Sequence, residues 1–269
     1  LCLLCLLCFL LLLFLLLLGG ALLENPQIAG QLLAEIKTLQ SQRPVILVHG
    51  GGPLVETLLA AMQLTSTKID GLRVTPDEQM PFVCGALAGS ANKSLCGLAI
   101  GAGITPVGLS LLDGGITDCK VLNEKYGAVG VPAAGKPELL NQLLSAGFLP
   151  VISSIGSNAE GRLLNVNADQ AATVIAELMG GDLLLLSNVD GVLDGDKQLI
   201  HELDQPRLDE EVAKGVIKDG MLVKVAAAMQ AATELAKPVT IANWSAPLTA
   251  ILDNQTGTRV IPASQTSGV

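Results

Sequence analysis

Aromatic residues are nearly missing: they make up 2% of a 269-residue chain, with a single Trp244 and a single Tyr126. No stacking platform for nucleic acid can be assembled from so few rings. Positive charge is also scarce, since 16 Lys and Arg stand against 25 Asp and Glu for a formal net charge of −9. That balance excludes the basic footprint of a nucleic-acid binder, yet leaves room for a small anionic substrate held by a few local cations and backbone N–H groups. Histidine is limited to His49 and His201. Neither pairs with a nearby serine or cysteine, so a hydrolase triad has no support. The chain has no G-x4-G-K-[ST] phosphate loop, and after residue 18 no Pro/Ser-rich linker, low-complexity tract or 20–50-residue repeat.

Metal-ligand spacing is lacking too. Cys84, Cys96 and Cys119 are scattered and read as buried free thiols in a reducing compartment. Cys2, Cys5 and Cys8 form a C-x2-C-x2-C run without a fourth ligand, embedded in leucine, so no metal site is expected there.

What is present is aliphatic. Half the residues are apolar, and a core of Leu, Val, Ile and Ala suits a parallel sheet covered by helices. Residues 1–18 contain only Leu, Cys and Phe. Their length reaches that of a membrane helix, but basic flanks, aromatic anchors and a cleavage pattern are absent. The reading adopted is an anomalous leucine-rich leader over residues 1–13, then a buried first strand over 14–18 feeding the Gly19-Gly20 turn. Asn25-Pro26 supplies an N-cap and an N1 proline for a helix whose apolar face is Ile28, Leu32, Leu33, Ile36 and Leu39.

Further strands are expected at 45–48, 104–109, 149–153, 183–186, 239–242 and 258–261, with helices between them. A polar loop is expected over 68–76, a long buried helix or broken pair over 77–101, and a hairpin within 111–132. Strands alternating with helices predict an α/β fold, a three-layer αβα sandwich around an open, mainly parallel sheet. Residues 14–178 and 179–269 form the two lobes of one domain in this reading.

Gly50-Gly51-Gly52 and Gly19-Gly20 both stand where a strand gives way to a helix. Glycines there let backbone N–H groups approach an anion, although a tight turn needs nothing more. Arg73, in a glycine-bearing loop, is either a solvated surface residue or a carboxylate clamp. Asn165, Asn167 and Asp169 lie at a strand-to-helix junction, where Asp169 is a helix N-cap, a first-turn acid, or an acid that positions a cationic side chain or a metal beside a transferring phosphate. Lys224 interrupts an aliphatic helix, snorkelling or aimed into a site.

The segments VHGGG (48–52), GLRVT (71–75), ALAGSANKSL (86–95), SSIG (153–156), NVNADQAA (165–172), LLLSNVDGVLDG (184–195) and KDGMLVKVAAA (218–228) together resemble the amino-acid kinase family. Their combination is similar to the branch whose acceptor is N-acetyl-L-glutamate. The resemblance implies ATP-dependent phosphorylation of that acceptor's γ-carboxylate, with magnesium on the nucleotide phosphates, in a cytoplasmic homodimer that needs no membrane. It assigns acceptor binding to Gly51, Gly52, Arg73 and Asn165, and phosphoryl stabilisation to Lys224, with Asp169 organising the catalytic lysines. Nucleotide contacts fall to Gly19, Gly20, Asn188, Val189, Asp190, Gly191, Val192, Leu193, Val216, Ile217 and Lys218. The family carries a second catalytic lysine two residues before the first glycine, where this chain has Leu17. That departure leaves open a binding-only relative, and the shared fold leaves open a kinase of another small acid.

Overall fold

The computed structural model describes residues 13–69 and 71–262. Residues 1–12 of the expected 1–13 leader, with Cys2, Cys5 and Cys8, lie outside the described residues, whereas Leu13 is buried in the core.

The fold grows outward from the first strand. Strand β1 (Phe14–Leu18) is buried at every position. Neighbouring side chains of a strand point to opposite faces, so a strand covered on both sides must be apolar throughout. Leu13, Leu15 and Leu17 join one core, and Phe14, Leu16 and Leu18 join another on the far side of the sheet. Helix α1 (Pro26–Gln40) follows, capped by Asn25, whose side chain accepts from the Ile28 N–H at 3.2 Å. It buries Ala29, Leu32, Leu33, Ile36 and Leu39 in the second core, close to the predicted face. Strand β2 (Val45–His49) then returns parallel to β1, and helix α2 (Gly52–Ala61) starts directly from the glycine run.

The expected polar loop over 68–76 is instead a hairpin of β3 (Thr67–Ile69) and β4 (Leu72–Val74). Its strands are mostly exposed or half-buried, so apolar alternation could not reveal them. Next comes a 22-residue helix, α3 (Met80–Gly101), of which Gly85–Ala91 is a π turn. By length and composition it is the one described helix able to cross a membrane. Its first half (Met80, Val83, Ala86, Leu87) packs in the β1 Leu15/Leu17 core, and its second half (Leu95, Cys96, Ala99) in the other.

Strand β5 (Pro106–Ser110) leads to the antiparallel pair β6 (Thr117–Val121) and β7 (Val129–Ala134), which matches the expected hairpin. After helix α4 (Glu138–Ser145) come β8 (Leu149–Ser153), β9 (Ile155–Ser157) and β10 (Leu163–Val166). Strands β9 and β10 were not foreseen; with β6 and β7 they build a four-stranded sheet ordered β6-β7-β10-β9.

Helix α5 (Ala168–Met179) ends on Gly180 in the left-handed conformation and feeds β11 (Asp182–Ser187). Short strands β12 (Val192–Leu193), β13 (Leu199–Ile200) and β14 (Glu202–Leu203) precede helices α6 (Gln205–Ala213) and α7 (Asp219–Leu235). Strand β15 (Val239–Asn243), helix α8 (Leu248–Leu252) and strand β16 (Thr258–Val260) finish the described chain.

The main sheet is ordered β14-β16-β15-β11-β1-β2-β8-β5 and is parallel except where β15 meets β16. The predicted αβα class holds. The chain leaves β1 toward β2 on one side, while β11 pairs with it on the other. Ligands of open α/β sheets bind at such a reversal, outside the carboxyl ends of the strands. Among the cysteines, Cys96 and Cys119 are buried free thiols as expected, but Cys84 is only half-buried.

Because Leu16 is wholly buried at the centre of the sheet, Leu16→Ala is expected to lower unfolding stability by about 3 kcal/mol. Urea denaturation followed by circular dichroism measures it; a loss under about 1 kcal/mol would contradict this packing.

Candidate active site

Two glycine turns meet at the carboxyl ends of β1 and β2. The Gly50 N–H donates to the Leu18 carbonyl at 3.4 Å. A Cβ added at Gly20 would lie 2.8 Å from the Gly51 Cα and 3.0 and 3.1 Å from the amide nitrogens of Gly51 and Gly52. Only glycine permits this approach of backbone to backbone. At Gly51 a Cβ would stand 2.7 Å from Leu87 Cδ2. The same seam is the N-terminus of α2, so its free N–H groups and helix dipole favour negative charge there. Gly19, one residue earlier, packs against Trp244, which a Cβ would approach to 3.0 Å.

Beside the seam lies a cavity of about 200 Å³. It brings together Gly51, Gly52, Arg73 and Asn165, four residues far apart in sequence and all expected to bind the acceptor. Lys68, which sequence reasoning passed over as part of a polar loop, lines it as well. The Arg73 guanidinium is largely buried and held from three sides: by Glu56 at 2.9 Å, by the Gly52 carbonyl at 3.3 Å, and by the Ser66 hydroxyl. Glu56 is kept below the usual carboxylate range, chiefly by its hydrogen bond from Arg73. Asn165 donates to the Thr75 hydroxyl at 3.1 Å, which fixes its amide at the cavity wall. A larger cavity of about 620 Å³ opens beside Phe14, Arg43, Asp182 and Arg259. It lies at the opposite, amino-terminal ends of the strands, away from both glycine turns.

Asp169 is a first-turn acid of α5, and the cap is Asn167, whose side chain accepts from the Asp169 and Gln170 N–H groups at 2.8 and 3.1 Å. Burial raises the Asp169 pKa, opposed by the charge of Lys224. Burial likewise lowers the Lys224 pKa, opposed by Asp169. Each charge therefore supports the other in a poorly solvated place. Lys224 also donates to the Ser187 hydroxyl at 2.5 Å, which aims its ammonium at the end of β11. Ser187 escaped the sequence reading because a serine closing a strand carries no distinguishing signal. Leu17 is buried in the core that also receives α5 and α7, the helices bearing Asp169 and Lys224.

The two segments expected to hold nucleotide converge. After β11, the Asp190 carboxylate accepts from the Asn243 amide at 2.7 Å. Gly191 is tight against Thr258, whose hydroxyl accepts from the Val192 N–H at 2.8 Å. A Cβ on Gly195 would stand 3.5 Å from Val216, which joins this loop to the Val216–Lys218 turn. The side chains of Val192 and Ile217 belong to the core, so their expected contacts reduce to backbone groups, whereas Asn188, Leu193 and Lys218 are exposed and Val189 is half-buried. Among the described residues no three His, Cys, Asp or Glu stand together as a metal group.

His49 lies beneath the seam, 2% exposed. Its Nδ1 is 2.8 Å from the Gly50 carbonyl and its Nε2 3.1 Å from the Asn92 amide nitrogen. Burial pushes its pKa down to about 4, partly opposed by the Gly50 carbonyl and aided by the charge of Lys93.

The model of the amino acid kinase family matches residues 13–243. A curated relative, the acetylglutamate kinase of Aeromonas hydrophila subsp. hydrophila, is 53% identical over 232 residues, covering 86% of this chain and 90% of the relative. The acetylglutamate kinase of Vibrio cholerae serotype O1 is 48% identical over 250 residues, 91% of this chain and 95% of that one. Among solved structures, smu.665 from Streptococcus mutans UA159 superposes with a TM-score of 0.77 at 26% identity, over 93% of this chain and 98% of that one.

The buried imidazole sets an acid dependence. An unfolded His49 takes its proton near 6.5, while the folded one does so near 4. Its contribution to stability is thus complete above about pH 6.5 and shrinks as the pH falls toward 4, by roughly 3 kcal/mol. Comparing urea midpoints of the chain and His49→Gln from pH 7 to 4 measures it. Parallel pH profiles would refute it.

Proposed function

The chain belongs to the amino acid kinase family, and we propose that it transfers the γ-phosphoryl group of ATP to the γ-carboxylate of N-acetyl-L-glutamate, as the acetylglutamate kinases of arginine biosynthesis do. The observation that carries this reading is the meeting of Gly51, Gly52, Arg73 and Asn165 in one cavity at the glycine seam. A dicarboxylate of that size has one end to be clamped and one end to react.

The residues divide the work as follows. Arg73, pre-oriented by Glu56, clamps the α-carboxylate with its planar fork, and Asn165 holds the same end. The γ-carboxylate is then directed at the seam, where N–H groups of the glycine turns and the α2 N-terminus meet developing negative charge. A carboxylate oxygen attacks the γ-phosphorus, the bond to the β–γ bridging oxygen breaks, and its electron pair leaves on ADP. No proton moves. Lys224 neutralises charge on the transferring group, and Asp169 keeps that lysine charged and aimed.

The acceptor occupies the 14–178 lobe and the nucleotide the 179–269 lobe. Gly19, Gly20, the turn from Asn188 to Leu193, and Val216, Ile217 and Lys218 surround the nucleotide. The seam itself has no room for a further atom, and the phosphate chain lies outside it against the N–H groups of the glycine turns. Magnesium on that chain would supply further charge neutralisation. In this reading the enzyme works in the cytoplasm as a homodimer. Sedimentation equilibrium is expected to give twice the chain mass.

Coupled ADP release is expected with N-acetyl-L-glutamate and absent with glutamate, aspartate, carbamate or UMP. Equal turnover of any of these would sink the assignment.

Leu17 removes one cation from the phosphates in flight. Leu17→Lys places an ammonium on the face shared with Asp169 and is expected to raise kcat by roughly 10²-fold. An unchanged kcat in the folded variant would show that Lys224 alone meets the charge requirement.

A further inference from the structure

The Gly50–Gly51 peptide decides where the Gly51 N–H points, because a planar trans peptide directs its C=O and N–H to opposite sides. All the described peptides are trans. The Gly50 carbonyl is an acceptor only, so His49 Nδ1, 2.8 Å away, must carry the proton and donate. The ring is neutral, which leaves Nε2 as an acceptor. The group facing Nε2 is the Asn92 amide nitrogen, which has two protons: one goes to the Val151 carbonyl at 2.8 Å, and the other is shared between Nε2 at 3.1 Å and the Leu109 carbonyl at 3.3 Å. Asn92 is 1% exposed and His49 2%. Two buried polar side chains thus reach the glycine turn in fixed order, from β8 and β5 through Asn92 and His49 to Gly50.

Asn92 gets there through the π turn of α3. Its backbone N–H donates to the Leu87 carbonyl, five residues back. Such bonding stacks residues five apart on one face, where an α-helix stacks those three or four apart. Leu87 abuts Gly51 while Asn92 meets His49. The π turn lets both press on the same turn.

We propose that His49 is a positioning residue for the phosphoryl acceptor: clamped by Asn92, it fixes the Gly50–Gly51 peptide and so holds the Gly51 N–H at the seam where the acceptor carboxylate is received. The inference rests on the acceptor assignment made above.

Calorimetry and nitrogen NMR test it. His49→Leu is expected to weaken N-acetyl-L-glutamate binding at least about tenfold while ADP affinity changes less than about threefold. His49→Asn, whose amide nitrogen can stand in for Nδ1, is expected to recover acceptor affinity to within about threefold of the unmodified chain. Should His49→Leu fail to fold, Asn92→Ala removes the clamp and leaves the ring, and the same loss confined to the acceptor is expected. Unchanged acceptor affinity in a folded His49→Leu or Asn92→Ala chain, or equal loss in the Leu and Asn variants, overturns the inference. With only two histidines in the chain, ring-labelled protein gives one signal set for exposed His201 and one for His49. The His49 ring is expected as the neutral Nδ1–H tautomer, and an Nε2–H ring overturns the inference. If the unmodified chain binds ADP but not N-acetyl-L-glutamate, the acceptor assignment fails, and the inference about the turn is then decided by that tautomer alone.

Discussion

Everything at the functional end of the molecule depends on how closely two backbones approach. Gly20 and Gly51 are packed so tightly that a single methyl-sized group between them would collide with a Cα and two amide nitrogens. That contact lets β1 and β2 end at the same place and brings the α2 N-terminus to the mouth of the cavity. It also leaves backbone N–H groups where, in the proposed mechanism, phosphate and carboxylate come together. Such donors are fixed before any ligand arrives, so they need little reorganisation during transfer. The charged residues are arranged around this seam: Arg73 beyond one end, and Lys224 with Asp169 at the other.

Those two charge arrangements solve different problems. Arg73, itself largely buried, is neutralised and oriented by Glu56, whose carboxylate is partly shared with solvent. Lys224 and Asp169 sit in a drier place, where burial acts against both charges and each offsets the other's penalty. Replacing the family's second lysine with Leu17 changes the sum. Leu17 is packed in the core on that face of β1, so in the proposed mechanism Lys224 alone faces the phosphates where the family resemblance implies two cations.

The legible parts of the fold were those in which burial and chain geometry impose a pattern. Asn25-Pro26 marked a helix start, the aliphatic run from Leu149 to Ser153 marked a strand, and the GG and GGG turns marked strand-to-helix exchanges. The hairpin bearing Lys68 and Arg73 was not legible, because its side chains are half-buried or exposed and obey no alternation. Strands β9 and β10 are too short for a periodic signal. The π turn is also silent in sequence, since one extra residue per turn shifts a small-residue stretch without altering its composition. At the site, the motif resemblance selected residues that the fold does gather into one cavity. Glu56, Ser66 and Ser187 went unnoticed because their importance comes from which side chain they touch, and contact across the fold leaves no local mark.

The leucine content of β1 carries a last consequence. A one-residue slip would exchange the two faces of the strand, and in Leu15-Leu16-Leu17-Leu18 each face would still present leucine. Side-chain chemistry therefore gives this strand almost no alignment information. The alignment is written at its ends, where Phe14 N–H meets the Pro44 carbonyl, Gly19 N–H meets the Leu186 carbonyl, and Gly20 alone fits against Gly51. In this protein the residues that shape the glycine seam also serve as the gauge marks by which the central strand finds its place.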